Sequence, residues 1–196
     1  RFLRNRFGNL PLAQIESVFG FVERCTLYGG RNFMAPELSE RDVMQLNNAG
    51  IGLRIPLTNH DAELQEYKSY RPFLEKYHRS VNSVIVTNDD LAEWIRADFP
   101  DFDIEASVIK NIDNHKKLES ALKYYDTAVL PMPCNQDPEF LRSIEDKSRI
   151  RLFANAGCAL TCPARTCYRS FSTINKFKGG DFLCSQDLKE REQLGM

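Results

Sequence analysis

The chain has 196 residues, of which 42% are hydrophobic and 27% are charged, and its formal net charge is −1. This composition is typical of one globular domain with a sizeable core, and the near-zero charge excludes a global attraction to nucleic acid or anionic membranes. No apolar run approaches the roughly 18 residues that a membrane span needs, and no signal-peptide core follows the basic start. We therefore expect a cytoplasmic protein, in which clustered cysteines are more often metal ligands than disulfides.

Short apolar runs bounded by turn residues predict strands at six places: 22–27, 51–57, 84–86, 104–109, 128–132 and 150–154. Helical spacing of apolar residues fills the intervals, at 39–50, 61–78, 88–99, 118–125 and 137–144. Pro72 is expected to kink or divide the second helix, because proline removes a helical hydrogen bond. Residues 1–21 are predicted to be a lead-in segment before the first strand.

The alternation of strand and helix predicts an α/β fold with a parallel sheet. A complete eightfold barrel takes about 250 residues, so about six units predict an incomplete or distorted TIM-like barrel. A doubly wound sheet is the alternative. We expect the barrel-like domain to cover residues 22–154, with a cysteine-rich segment over 155–196 packed on the same domain.

Asparagines follow five of the six predicted strands, at Asn59, Asn88, Asn111, Asn135 and Asn155. The carboxyl ends of parallel strands meet at one face, where ligands bind. Asparagine is also common in turns and helix caps. As a set, these residues predict a polar mouth that binds a small anion. Gly29 and Gly30, after the first predicted strand, let the backbone turn sharply or approach a ligand closely.

Four of the six cysteines cluster near the carboxyl terminus, at Cys158, Cys162, Cys167 and Cys184. Structural zinc sites usually use Cys-x2-Cys pairs, which are absent here, whereas iron–sulfur ligation accepts wider spacing. Zinc, disulfides and unliganded thiols remain alternatives. Cys25 and Cys134 lie in hydrophobic sequence and are predicted to be small buried core residues.

The segment 147–180 contains no acidic residue and seven cations: Lys147, Arg149, Arg151, Arg165, Arg169, Lys176 and Lys178. These charges can stabilise an anionic cluster, bind an anionic substrate or an RNA backbone, or form a solvated basic face. Arg165 and Arg169 are predicted to hold a carboxylate or phosphate bidentately.

Several motifs resemble, in order and spacing, the U32 peptidase (collagenase-like protease) family over roughly residues 22–186. The matching stretches are Tyr28-Gly-Gly-Arg-Asn-Phe33, Leu38-Ser-Glu40, Leu57-Thr-Asn59, Ser83-Val-Ile-Val-Thr-Asn88, Ile104-Glu-Ala-Ser107 with Asn111 and Asn114, Thr127-Ala-Val-Leu-Pro131, and the last strand entering the cysteines. The cysteine spacing departs from the common family pattern.

The resemblance implies a partial barrel whose Cys158, Cys162, Cys167 and Cys184 hold a [4Fe–4S] cluster. Family members include oxygen-independent hydroxylases of ubiquinone precursors or RNA bases, so a hydroxylation or related redox step is expected here. We expect a small anionic substrate, or an RNA or protein partner. The substrate-binding candidates are Arg165, Arg169, Asn59, Asn111 and Asn155.

A non-catalytic partner or scaffold subunit is the alternative function, with a structural iron–sulfur or zinc site in a hetero- or homo-oligomer. Peptidase activity is the least favoured function. The sequence has no Gly-x-Ser-x-Gly or His-Glu-x-x-His motif and no recognisable nucleophile–base arrangement.

Overall fold

A computed structural model describes residues 12–29, 37–154 and 166–184. Within these residues, six parallel strands form one sheet in the order β1-β2-β3-β4-β5-β6, so each strand pairs with its neighbours in sequence. The sheet curls into a half-barrel, which confirms the predicted incomplete TIM-like fold. The strands are β1 Ser17–Phe19, β2 Gly52–Leu57, β3 Ser83–Val86, β4 Asp103–Ala106, β5 Thr127–Leu130 and β6 Ile150–Leu152.

Helices connect most of the strands, and their first turns carry side-chain caps. Ser39, Asn88, Asn114 and Asp137 each accept a hydrogen bond from a backbone N–H of the helix that they precede. The helices are α1 Glu40–Asn48, α2 Leu64–Tyr77, α3 Asp89–Asp98, α4 His115–Ala121, α5 Pro138–Ser143 and, after β6, α6 Thr166–Phe177. No helix within the described ranges is long and apolar enough to cross a membrane.

The two faces of the sheet differ in chemistry, because successive strand residues point to opposite sides. One face is fully buried in the hydrophobic core, through Leu53, Ile55, Leu57, Val84, Val86, Ile104, Ala106, Ala128 and Leu130. The alternate positions Arg54, Ile85, Glu105, Val129 and Arg151 line a cavity on the concave face of the half-barrel. The core therefore leaves the concave face available for a ligand.

The predicted strand at 22–27 is wrong, and β1 lies earlier, within the predicted lead-in segment. The Gly20 N–H still bonds to the Arg54 carbonyl of β2, at 3.2 Å, but the carbonyl of Phe21 accepts from the Leu38 N–H. The backbone therefore leaves the sheet after Gly20. Val22, Cys25 and Leu27 are nevertheless buried, so their apolar character reflects core packing rather than strand pairing.

Pro72 lies inside α2 and does not divide it. A proline at this position removes the N–H that would bond to the carbonyl of Lys68. Lys68 is exposed, so water can satisfy that carbonyl and the helix continues.

Candidate functional site

A cavity of about 710 Å³ lies on the concave face of the half-barrel. Its apolar walls include Phe19, Phe21, Ile85, Val129 and Phe153. Its charged lining consists of Arg54, Glu105 and Arg151. A cavity of this size with a few convergent polar groups is typical of a small-molecule site. We call it the concave-face cleft.

Arg54, Glu105 and Arg151 come from β2, β4 and β6, the alternate strands that build one interior layer in barrel folds. Glu105, with its side chain only 4% exposed, lies between the two arginines. Its Oε2 is 3.3 Å from Arg54 Nη1 and 2.6 Å from Arg151 Nε. Burial raises the pKa of Glu105, and the charges of Arg54 and Arg151 oppose that rise.

The contact between Arg151 Nε and Glu105 is an ion pair without a well-directed hydrogen bond, because the buried Nε group has no hydrogen-bond partner within the described protein. Thr127 completes the surroundings of the carboxylate by donating to Oε2 at 3.4 Å. Glu105 is therefore a fixed buried anion that neutralises part of the positive charge in the cleft.

Glu16 supplies a second carboxylate to the same arginines. Arg151 Nη1 and Nη2 each donate to one Glu16 oxygen at 2.9 Å, and Arg54 Nη2 lies 3.7 Å away. The hydrogen bond from Arg151 lowers the pKa of Glu16 below its usual range. The Glu16 side chain is 69% exposed, in contrast to that of Glu105.

Helix α6, which carries Cys167, docks beside the carboxyl end of β2 and the segment that follows β1. Asn59, directly after β2 and Thr58, donates from Nδ2 to the Ser172 carbonyl at 3.0 Å and to the Thr26 carbonyl at 2.8 Å. Asn175 donates to the Tyr28 carbonyl at 2.5 Å. Tyr168, which follows Cys167, lines the concave-face cleft. The described part of the cysteine-rich segment therefore lies beside the cleft.

Next to this docking region, the backbone at Gly29 lies close to the backbone of Thr58. A Cβ at Gly29 would lie 2.1 Å from the Thr58 carbonyl oxygen, so only glycine fits. At this glycine the chain approaches the backbone at the end of β2, and a close approach to a ligand there stays a prediction. Gly30 lies outside the described residues.

His60 and Ser172 form a contact that superficially resembles a catalytic pair, with 3.0 Å between His60 Nδ1 and Ser172 Oγ. Ser172 is fully buried, and its hydroxyl donates to the Tyr168 carbonyl at 3.1 Å. Burial lowers the pKa of His60, and Arg169 adds to that effect. The pair holds α6 on the scaffold and presents no accessible nucleophile.

Two of the four predicted metal ligands can be located. Cys167 lies in the first turn of α6, and Cys184 follows Leu183, whose N–H donates to Ser170 Oγ at 2.8 Å. The chain therefore returns to the amino-terminal half of α6 just before Cys184. Both cysteines are partly exposed. Cys158 and Cys162 lie outside the described residues.

The two located cysteines differ in exposure from the other two described cysteines, since Cys167 and Cys184 are only partly buried. Cys25 and Cys134 are buried, and burial raises the pKa of each thiol, which disfavours the thiolate form that binds metal. Their predicted place in the core is confirmed. Within the described ranges, no three His, Cys, Asp or Glu residues are placed to hold a metal.

The four described asparagines at the predicted strand ends do not form one cluster of free amides. Asn59 is buried in the α6 contact, Asn88 caps α3, and Asn135 donates to the Phe153 carbonyl. Asn111 adopts a left-handed conformation with φ of 53° and donates to Asp113. Asn155 lies outside the described residues. Substrate binding by Asn59, Asn111 and Asn155 remains a prediction.

Much of the basic segment is bound within the scaffold. Arg149 donates to three backbone carbonyls and Lys147 to two, while Arg151 and Lys176 pair with carboxylates. Arg169 is 71% exposed and lies 3.8 Å from Asp61. Arg165 lies outside the described residues. Four of the described cations of this segment, Lys147, Arg149, Arg151 and Lys176, are therefore engaged in the scaffold.

Sequence reasoning missed the charged layer of the cleft, although the sequence carries a signal for it. Arg54, Glu105 and Arg151 are each a single charge flanked by apolar residues within a short strand. A charge at the centre of an apolar strand marks a position that faces away from the core. The convergence of three such positions depends on the curvature of the sheet.

The fold and the site together define an incomplete α/β barrel with a charged concave cleft and a cysteine-bearing helix at its mouth. Among solved structures, the chain is similar to the one described as "The Structure of the U32 Peptidase Mk0906". The TM-score is 0.63 at 15% sequence identity, and the match covers 89% of this chain and 74% of that one. This likeness supports a U32-peptidase-like fold. No protein-family model and no curated protein matches the sequence.

Proposed function

We propose that this chain is a cytoplasmic iron–sulfur protein that carries out an oxygen-independent hydroxylation or a related redox modification of a small anionic substrate. Cys158, Cys162, Cys167 and Cys184 would hold a [4Fe–4S] cluster. The observation that carries the proposal is the docking of α6 beside the concave-face cleft, with Cys167 in its first turn and Tyr168 lining the cleft.

Different residues of the chain would ligate the cluster and bind the substrate. When bound, a cluster would supply single-electron transfer, and the four cysteine thiolates would hold it. Arg54 and Arg151 provide the positive charge that attracts an anion, and Glu105 keeps both guanidinium groups in place. Because most cations of the basic segment have partners in the scaffold, a small anion is favoured over an RNA backbone.

Anaerobic reconstitution of the full chain with iron and sulfide tests the cluster. We expect about four iron and four sulfide per chain and a visible absorbance that dithionite bleaches. Alanine substitutions of Cys158, Cys162, Cys167 and Cys184 should each lower the iron content. Cys25→Ala and Cys134→Ala are the matched controls and should retain it. A colourless, iron-free protein after reconstitution contradicts the proposal, and stoichiometric zinc supports the structural-zinc alternative.

A non-catalytic subunit with a structural metal is the second candidate. It is favoured by the tight integration of α6, whose Ser172 and Asn175 are fully buried. Cys158→Ala separates the two candidates. Loss of folding without any associated redox activity indicates a structural metal, whereas a folded protein that has lost only its redox activity supports the first.

Peptidase activity, which the name of Mk0906 suggests, has weaker support. The Ser172 hydroxyl beside His60 is inaccessible, and the described lining of the concave-face cleft contains no serine or cysteine paired with a histidine. A nucleophile that reaches substrate needs an adjacent base and access to solvent.

A further inference from the structure

The two carboxylates that contact Arg151 differ in how firmly they are held. Glu105 is 4% exposed and buried under the cleft, whereas Glu16, just before β1, is 69% exposed. Removing Glu105 would leave buried positive charge, whereas the exposed Glu16 carboxylate regains water when it leaves Arg151. Glu16 can therefore leave Arg151 at less cost than Glu105.

The Glu16–Arg151 contact has the geometry with which arginine binds any carboxylate. Two N–H groups, on Nη1 and Nη2, each donate to a separate oxygen at 2.9 Å. This bidentate arrangement is specific for a planar anion. Glu16 thus occupies, on the Nη groups of Arg151, the position that a ligand carboxylate would take, and Arg151 itself lines the cleft.

The charges of the cleft, together with Glu16 beside it, set the charge of the ligand. With Glu16 in place, two guanidinium groups, Arg54 and Arg151, balance two carboxylates, Glu16 and Glu105. Asp103, which is exposed at the start of β4, acts on Arg151 more weakly than either glutamate. Departure of Glu16 leaves one uncompensated positive charge, so the cleft is matched to a single carboxylate.

The apolar walls of the cleft determine the chemistry of the uncharged part of the ligand. Phe19, Phe21, Ile85, Val129 and Phe153 present aromatic and aliphatic surface around the arginines. Burial of apolar ligand surface against them contributes about 25 cal/mol per Å². A ligand with one carboxylate and a compact apolar body therefore satisfies both parts of the cavity of about 710 Å³.

We infer that the concave-face cleft binds a small monocarboxylate with an apolar body, and that its carboxylate displaces Glu16 from Arg151. Glu16 is then an internal occupant that competes with the ligand. The inference names the substrate class of the proposed redox reaction and rests on that proposal for its catalytic meaning. The binding step is independent of turnover.

Titration calorimetry of the full chain with benzoate tests this exchange. Wild-type protein should bind benzoate and not benzamide, which has the same shape without the charge. Glu16→Ala should bind benzoate up to about fivefold more tightly, because the internal competitor is removed. Glu119→Ala, an exposed substitution on α4, is the matched control and should leave the affinity unchanged. Arg151→Gln should abolish binding.

Several outcomes overturn the inference. They are no benzoate binding by either wild-type protein or Glu16→Ala, equal binding of benzamide, or full affinity in a folded Arg151→Gln. Unchanged or weaker binding by Glu16→Ala shows that Glu16 only joins the edges of the sheet. If Arg151→Gln does not fold, the Glu16→Ala comparison decides alone. Iron-loaded protein that fails to bind benzoate refutes this inference only, whereas benzoate binding without iron after reconstitution refutes the proposed function only.

Discussion

Asn82 illustrates how one buried amide joins three elements of this fold. Asn82 is only 1% exposed. Its Oδ1 accepts hydrogen bonds from the Leu53 N–H of β2 and from Asn47 Nδ2 of α1, both at 2.9 Å. Its Nδ2 donates to the Tyr77 carbonyl at the end of α2, at 3.0 Å. Without Asn82 the buried Leu53 N–H and the Tyr77 carbonyl would lose this partner, which is costly inside a protein.

Asn82→Ala should lower the free energy of unfolding by about 2–4 kcal/mol, because it leaves the Leu53 N–H and the Tyr77 carbonyl unsatisfied. Urea denaturation followed by circular dichroism measures the change. Asn48→Ala, an exposed substitution on α1, should change stability by less than about 0.5 kcal/mol. Equal effects of the two substitutions would show that the Asn82 bonds contribute no net stability.

Helix α6 depends on the scaffold for its position. Asn59, Asn175 and Lys176 join it by hydrogen bonds to the ends of β2 and to the chain before α1 and α2. Isolated helices of this length are marginal in water, so these contacts hold the helix in place. The position of Cys167 consequently depends on residues far away in sequence.

Asn59→Ala should accelerate amide hydrogen exchange in α6 by about tenfold, because the Ser172 carbonyl loses its donor. Exchange measured by mass spectrometry on peptides from residues 166–177 tests this, with β3 as an internal reference. Asn111→Gly is the control, since glycine retains the left-handed backbone at φ 53° and the Asn111 side chain donates to Asp113. Unchanged exchange in α6 would contradict the docking role of Asn59.

Five of the six strands were predictable because short apolar runs end in turn residues, as at Leu57 before Thr58 and Asn59. β1 was not predictable, since Ser17–Phe19 is only three residues long and the following stretch is more apolar. Caps at Ser39 and Asn88 were predictable because their signals are local. The cleft was not, because Arg54 and Glu105 become neighbours only when the sheet curls.

At the scale of the whole molecule, the charged layer links strands that do not pair with one another. Glu105 on β4 contacts Arg54 on β2 and Arg151 on β6. Glu16, just before β1, binds Arg151 on β6 and so joins the two edge strands, although the two residues are 135 positions apart in sequence. The curvature of the sheet is therefore linked to the contacts that one buried carboxylate, Glu105, makes in this interior layer.

Glu105→Ala should lower the free energy of unfolding by about 2–4 kcal/mol, because Arg54 and Arg151 lose their buried partner while Glu16 compensates only in part. Urea denaturation gives the difference, and Glu119→Ala serves as the exposed control. A change no larger than that of the control would show that the concave face tolerates unpaired arginines.

The strand order also bears on synthesis. Because each strand pairs with its neighbours in sequence, the sheet can grow from its amino-terminal edge while the ribosome is still adding residues. Each new strand joins an existing edge, and none has to insert between two others. Thr166–Phe177 is made after the residues on which it docks, at Thr26, Tyr28 and Asn59. Vectorial synthesis thus makes the cysteine-bearing helix after all the residues of the scaffold on which it docks.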